Sequence, residues 1–460
     1  MSWGLVADQL IRLAGEEVAS FIAAAADAAG SPGQVLGLVE SAARSASGRI
    51  GQAMIQEALT VSTGYAGKTA KCGCGQAAVF KGMRPKTVTT MSGPVRISRA
   101  WYHCHGCQGG FAPIDADLGV AGKVSPGLLE ACSLAGMELP YRKAAGLIDT
   151  IAGGILTTPA TLARCCRRVG QVASARVNAE QTAAGAGALT FLSSGAALKV
   201  AYMLADGTGA PMVPAETAGR AGKGPDGRAH TREVKIGCFF TQTGSDKDGQ
   251  PLRDPGSNSY VATFDDAAGF AQLLKAEHVR RGFFRARQQI IIGDGAKWIW
   301  GIADRDWPAA VQIVDYYHAC QHVHDIVGQL AFMLAHPEQL ADQLITCLDH
   351  GDIAAMTAII DDYHLKPKLA ARIGKALDYF RVNAHRMRYD YFRSKGWFIG
   401  SGQVESACKT IVAQRAKQSG MRWTIAGLKP IITMRVLHQS GRDHLIWGKN
   451  LSQTNHAKAA

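Results

Sequence analysis

Three acids of this 460-residue chain stand where metal-dependent chemistry would need them. Asp206 follows the apolar run VAYMLA and opens into Gly207-Thr208-Gly209; Asp294 follows QQIIIG and precedes Gly295. Carboxylates that end two neighbouring strands can share a divalent cation, which offsets the repulsion between them. An Asp before Gly is equally an ordinary turn residue. Glu405 lies just inside a helix that Ser401 is expected to cap, in IGSGQVESACK, and residues 406–422 carry Lys409, Arg415, Lys417 and Arg422 without an acid. A lone carboxylate at the head of a basic helix offers one more oxygen ligand with phosphate-binding charge beside it. The plainer alternative is a first-turn Glu favoured by the helix dipole.

Four cysteines form a second constellation. Cys72-Gly-Cys74 and Cys104-His-Gly-Cys107 are two knuckle-like pairs, separated by a stretch of short β-type runs that can fold back as a hairpin. Such pairs present four thiolates to one tetrahedral Zn²⁺, with His103 and His105 as nearby substitutes. The other cysteines are scattered or, at Cys165-Cys166, adjacent within a helix. A closed site of this kind holds structure or touches DNA; nothing in it suggests a catalytic zinc.

Positioning these groups requires several modules, and the chain is long enough for about three domains. Residues 1–70 read as an Ala-rich helical arm, with Leu5, Leu10, Leu13, Phe21 and Ile22 and then Val35, Leu38, Val39, Ile50 and Met54 at helical spacing on either side of Gly30-Ser31-Pro32. The arm can pack on the chain or pair with a second copy. Residues 71–113 read as the zinc ribbon and 125–178 as a helical region, followed by the small, Gly-rich stretch NAEQTAAGAGALTFLSSGAA, which suits a linker. From 198 the runs LKVAYMLAD, EVKIGCFFT and SYVATF, a helix over 265–281, the strand QQIIIGD, a short helix and the strand VQIVD give the order of a ribonuclease-H-like α/β core. That core is expected over 198–324, a helical insertion over 325–395, the last part of the core with Glu405 over 396–447, and a tail over 448–460. The fold class expected is therefore α+β multidomain.

Fifty Lys and Arg against 37 Asp and Glu leave a net charge of +13, which favours a polyanionic partner. No run approaches the roughly 20 apolar residues of a membrane span, and the first residues lack a secretory pattern, so the expectation is a cytoplasmic, nucleoid-associated protein with no membrane partner. Tyr141 to Gly153 and the stretch from Thr158, a cap followed by Pro159, read as a helix-turn-helix whose short second helix carries Arg164, Arg167 and Arg168. Two packed core helices with solvated arginines would look alike. The stretch Tyr379 to Lys395 sets Arg381, Arg386, Arg388 and Arg393 among aromatics and is a further DNA-contact candidate. Trp298 and Trp300 read as core, with stacking on a distorted base as the alternative.

These segments, in this order, resemble the DDE transposases of bacterial insertion sequences, specifically the ISKra-type family, relatives of the Mutator-like transposases. The motifs that carry the resemblance include SPGLLEACSLAGMELPYRKAA, MLADGTG, IIIGDGAKWIW, VQIVDYYHACQHV, YFRVNAHRMRYDYFRSKG, IGSGQVESACK and QRAKQSGMRW, from about Lys71 to Trp447. The resemblance implies Asp206, Asp294 and Glu405 as a catalytic triad holding Mg²⁺ or Mn²⁺, and DNA cleavage at element ends followed by strand transfer into a target. Asp315-Tyr-Tyr-His318 looks like the acid-x-x-His signature of Mutator-like enzymes, which would place Asp315 and His318 near the active centre. Partners implied are double-stranded DNA, as element ends and target, and further copies of the chain assembled on it. Arg164, Arg167, Arg168, Arg386, Arg388, Lys409, Arg415 and Lys417 are the candidate DNA contacts. A catalytically inactive, DNA-binding descendant of such an enzyme is the alternative function.

Overall fold

The computed structural model describes residues 3–28, 30, 33–60, 62–120, 122–154, 156–190, 198–222 and 225–448, with side chains from residue 7 onward. The expected tail beyond 448, residues 191–197 of the expected linker, Ser31-Pro32 and the side chain of Leu5 lie outside the described residues. The architecture is mixed α/β and divides into two compact units, residues 1–168 and 169–460.

In the first unit, helices α1 (Trp3–Ala28) and α2 (Val35–Ala58) pack on each other, with Arg49 bridging to Glu17 at 2.6 Å. Ile11, Ile22 and Leu36 stay exposed on this arm. Strands β1 (Thr69–Lys71), β2 (Ala77–Thr90), β3 (Gly93–His103) and β4 (Gly110–Phe111) form one antiparallel sheet in that order. The long β2–β3 hairpin packs a small core on one face near its tip, from Val88, Val95 and Ile97 against Ile55 and Leu59. Near its other end Ala100 and Tyr102, of opposite parity, pack with Cys72 and Cys104. The register shift between Phe80 and Met83, where Gly82 takes φ +108°, accompanies this change of face. A short helix α3 (Pro113–Asp117) leads to α4 (Pro126–Glu138) and α5 (Tyr141–Ala152). Ser125 caps α4 by accepting from Leu128 N, and Gly153 ends α5 in the left-handed conformation at φ +73°.

Helix α6 (Pro159–Gly185) is not the short helix expected after the turn. It runs for 27 residues, through the first part of the expected linker, and the division between units falls inside it. The Ala-rich stretch from Asn178 has strong helix propensity and no breaker before Gly185, so the helix propagates.

In the second unit, β5 (Val200–Pro211), a one-turn helix α7 (Pro214–Thr217), β6 (Thr231–Gln242), the small pair β7 (Gly244–Ser245) and β8 (Pro251–Leu252), and β9 (Ser259–Thr263) precede α8 (Ala267–Arg280), β10 (Gln288–Gly293), α9 (Lys297–Asp306) and β11 (Val311–Val314). The main sheet has the order β11-β10-β5-β6-β9, with β11, β10 and β5 parallel and β6 antiparallel to both its neighbours. Met203, Ala205 and Ile291 meet α8 and α9 on one face, through Leu274, Ile299 and Ile302. On the opposite face Tyr202 stacks on Phe240 at 4.7 Å between ring centroids, with Phe398 edge-on to both.

The chain then stays helical through α10 (Tyr316–Leu330), α11 (Pro337–Asp349), α12 (Ile353–Asp361), α13 (Pro367–Asn383) and α14 (Tyr389–Ser394). Apolar residues at three- and four-residue spacing, such as Leu340, Leu344 and Leu348 or Ile373, Leu377 and Phe380, bury one stripe of each helix. The return to the sheet is stitched by hydrogen bonds: Gln242 Nε2 to Gly396 O at 2.8 Å, Phe398 N to Tyr202 Oη at 3.2 Å, and Tyr316 N to Ile399 O at 3.0 Å. Helix α15 (Gly402–Ala407) continues through a π-helical turn, Cys408–Ala413, into α16 (Gln414–Ala416). Helices α17 (Ile425–Gln439) and α18 (Asp443–Trp447) complete the unit. No helix among the described residues is long and apolar enough to cross a membrane.

Candidate acid centre and cysteine site

Asp206 does not end its own strand, as its glycine neighbours suggest. β5 continues to Pro211, and Asp206 pairs in register with Ile236 of β6. Gly207 and Gly209 lie inside the strand and make no turn: a Cβ on Gly209 would lie 2.9 Å from Thr231 Oγ1 and 3.1 Å from its Cβ, while one on Gly207 would meet only the movable end of the exposed Glu233 side chain. What ends near Asp206 is the parallel pairing with β10, whose last matched residues are Ala205 and Gly293. Asp294 is the next residue on that side, so the two acids follow matched positions of adjacent parallel strands. Gly295, at φ +95°, then turns the chain, and a Cβ there would meet the Tyr379 ring at 2.4 Å. Tyr379 Oη donates to Asp294 O at 3.1 Å, and Asp294 Oδ1 accepts from Ala296 N at 2.9 Å.

Glu405 sits exposed on α15, the helix that packs on β5 and β6. Ser401 occupies the cap position but makes no side-chain cap; its hydroxyl donates to Glu405 Oε1 at 3.2 Å. One turn on, the Cys408 thiol donates to Asp206 Oδ2 at 3.3 Å, while Gly207 N donates to Oδ1 at 2.6 Å. Lys417 Nζ donates to Thr208 Oγ1 at 2.7 Å. Burial pushes the Asp206 carboxyl above its ordinary range, and the charges of Asp294 and Glu405 add to this against the two donors. Burial, with the charge of Asp206, likewise raises the Cys408 thiol. The three acids therefore share one electrostatic neighbourhood. They are more open than a closed ligand cage: among the described residues, the only group of three or more metal-capable side chains with ligand atoms all within 4.8 Å is the cysteine cluster.

Asp315 follows Val314, the β11 partner of Gly293, and is 1% exposed. Its Oδ1 accepts from His318 N at 2.7 Å, capping α10, and its Oδ2 accepts from Ser401 N. Both oxygens are thus engaged in joining the start of α10 to the start of α15. His318 is exposed, 5.0 Å between ring centroids from His322, which lies 4.1 Å from Tyr379. Burial and the neighbouring His318 lower the His322 pKa, while Asp325 and Asp294 oppose them. His322 and Cys408 are neighbours of the acids that sequence reading did not single out, and Tyr379, read only as the start of a basic aromatic stretch, packs at Asp294 instead. The signal for His322 and Cys408 was their spacing, four after His318 and three after Glu405, on the same helical faces.

The candidate DNA contacts separate into two groups. Arg164, Arg167, Arg168, Arg388, Lys409 and Lys417 are exposed. Arg386 and Arg415 are not, and this corrects the expectation for both. Arg386 is 6% exposed, bonds Gln312 Oε1 at 2.6 Å and Asn383 Oδ1 at 3.1 Å, and stacks over Trp300. Arg415 is 1% exposed and lies over the Trp423 ring at 4.8 Å. Trp300 is core, as expected, while Trp298 is half-buried against Phe270.

In the first unit, Cys72, Cys74, Cys104 and Cys107 bring their sulfurs within 4.8 Å of one another, with Cys72–Cys107 and Cys74–Cys104 at 3.6 Å. A tetrahedron of Zn–S bonds of about 2.3 Å sets sulfurs about 3.8 Å apart, so the cluster could hold a structural metal such as zinc. The amide of Cys107 leads the donors that lower the Cys104 thiol to about 7, against its burial. Gly75 at φ +91° and Gln108 at φ +55° shape the two knuckles. All four members of the cluster are cysteines; His103 and His105 stack edge to face beside it.

A scan against protein-family models finds no match for the chain, and a search of curated proteins finds none.

Proposed function

We propose that the chain is a DNA transposase of the DDE type, with Asp206, Asp294 and Glu405 as its catalytic acids on a ribonuclease-H-like core. The observation that carries the reading is the pairing of β5 with β10, which sets Asp206 and Asp294 at matched positions while α15 brings Glu405 into their electrostatic reach. The strand order, with three antiparallel strands in chain sequence flanked by two parallel ones, supports the fold assignment. So does the helical run between β11 and Glu405, which matches the insertion implied by the resemblance to ISKra-type transposases.

Three carboxylates form a hard-oxygen set of the sort Mg²⁺ and Mn²⁺ take, and the raised affinity of Asp206 for a proton marks a centre that a cation would relieve. Bound there, such an ion would supply Lewis acidity for phosphodiester cleavage and joining. The chain's own residues do the rest. Cys408 and Gly207 orient the Asp206 oxygens, Asp315 and Ser401 fix the start of α15, and Lys409 and Lys417 add positive charge for a phosphate backbone. Arg164, Arg167, Arg168 and Arg388 are proposed to position double-stranded DNA, the cysteine cluster to hold Zn²⁺, and the exposed apolar residues of the arm to pair copies of the chain on DNA.

The test uses a plasmid carrying the inverted repeats that flank the gene, in Mg²⁺ and Mn²⁺. D294N and E405Q are expected to abolish cleavage and strand transfer while end binding persists. Wild-type cleavage by either variant would remove that residue from the centre.

A further inference from the structure

The π-helical turn between Glu405 and Lys417 determines which residues face the acid centre. In a regular α-helix successive residues turn by about 100°. Cys408 lies three positions and Lys417 twelve positions after Glu405, so an unbroken helix would put them about 60° to one side of Glu405 and about 120° to the other. That is an arc of about 180°, too wide to face one strand. A π-turn accommodates one extra residue, which takes about 100° out of the phase beyond it and returns Lys417 to within about 20° of Glu405. The three side chains then share an arc of about 80°. The hydrogen bonds agree with the narrow arc. Cys408 reaches Asp206 and Lys417 reaches Thr208, two residues along the same face of β5.

A π-turn leaves backbone carbonyls out of the i to i+4 ladder, and these need other donors when buried. Arg435, on α17 and 1% exposed, supplies them: Nε donates to Ile411 O at 3.0 Å and Nη2 to Thr410 O. One turn further along α17, Gln439 Oε1 accepts from Thr410 Oγ1 at 3.1 Å. A guanidinium spans two neighbouring carbonyls because its donors are held in a rigid plane, which a lysine ammonium cannot reproduce.

We propose that Arg435 is a positioning residue for the acid centre: by holding the π-turn Cys408–Ala413 it anchors the helix that carries Glu405 and Cys408 and brings Lys417 round to their face against β5. The inference deepens the reading of Asp206, Asp294 and Glu405 as a cation-binding centre. It is tested on the full chain with R435K, R435M, E405Q and the double variant E405Q/R435M, by two measurements that need no DNA cleavage. Hydrogen exchange over residues 402–417 reads the turn itself, and Mn²⁺ titration followed by electron paramagnetic resonance reads the centre. R435M is expected to speed exchange from Cys408 to Lys417 and weaken Mn²⁺ binding about tenfold, the lower end of the range seen when a group that supports a metal ligand is lost, with R435K showing a smaller loss in the same direction. E405Q/R435M should bind Mn²⁺ about as weakly as E405Q, because Arg435 reaches the ion only through the helix whose ligand is Glu405. Unchanged exchange in R435M, or losses that add in the double variant, would overturn the proposal. Should R435M fail to fold, R435K decides, and wild-type behaviour of R435K in both measurements counts against it. If the wild-type chain binds no Mn²⁺, the cation-centre reading falls, while exchange still decides whether Arg435 holds the turn.

Discussion

Replacing Asp206 with Asn should stabilise the protein in buffer free of added divalent ions. The two aspartates follow matched positions on strands that lie about 4.8 Å apart. Burial of the Asp206 carboxylate is the larger cost and the Asp294 charge adds to it; at the strand spacing, about 5 Å, two unit charges would repel by at most about 3 kcal/mol at an effective dielectric constant near 20. Both acids are half-buried, and water screening at that exposure brings the figure to roughly 1–2 kcal/mol. For a unit of this size that is a rise of roughly 2–8 °C in Tm. The pH dependence has a definite sign. Because the folded chain holds the Asp206 proton more tightly than the unfolded chain, wild-type stability falls as pH rises from the ordinary carboxylate range through the raised pKa. Asn carries no such penalty, so the gap should open from about pH 4 upward and stay open at neutrality. Adding Mn²⁺ should reverse the order, since the wild type gains stability from the ion and D206N does not. Calorimetric melts of both proteins between pH 4 and 8, with and without Mn²⁺, measure all three effects. A D206N protein less stable than wild type at neutral pH without divalent ions, or a gap flat across the pH range, would refute the reasoning.

Three further outcomes are expected. Glu277 is buried beside Arg280 and Arg442; burial alone would raise its pKa, but the two guanidiniums hold it below the usual range. Its contribution is therefore present above about pH 4.5 and lost as pH falls through the lowered value, and E277Q should cost about 3–5 kcal/mol in urea titrations at neutral pH. Protein purified without added zinc should carry about one equivalent by elemental analysis, and C104S should lose it. Its faster hydrogen exchange should be confined to the Cys104 end of the β2–β3 hairpin, the tip keeping its separate core. R164A/R167A/R168A should weaken binding to end DNA and lower the salt slope by up to about three units, one for each phosphate no longer neutralised; an unchanged slope would make these arginines merely solvated.

The strands of the second unit were legible because each is an apolar run bounded by polar, Gly-rich loops, and the pairing of β5 with β10 needs little beyond that. Asp294 could be placed from sequence, since Gly295 does make the turn that its position suggests. The same rule misplaced the end of β5, because Gly207 and Gly209 stay paired with Lys235 and Glu233 across the sheet, which no local window contains. Arg386 and Arg415 illustrate a second limit. A count of basic residues treats every arginine as solvated, yet Arg386 turns inward to Asp304, 82 residues away in the chain, and to Trp300. The π-turn is a third: fixed periodicity carried past Cys408 assigns every later residue of the helix to the wrong side.

The thiol of Cys408 meets Asp206 across 202 residues of chain. At roughly 5–20 residues per second, a ribosome needs about 10–40 s to make that stretch. Throughout this interval the nascent protein has already presented its four cysteines and the arginines of α6, but the helix carrying Glu405 does not yet exist. Under the proposed function, capture of nucleic acid begun on the ribosome would precede any capacity to cut. Premature termination before residue 402 would yield a product that keeps the candidate DNA-contact helix and lacks Glu405; under the proposed function, such a fragment is expected to compete with the full chain for the same DNA ends without breaking them.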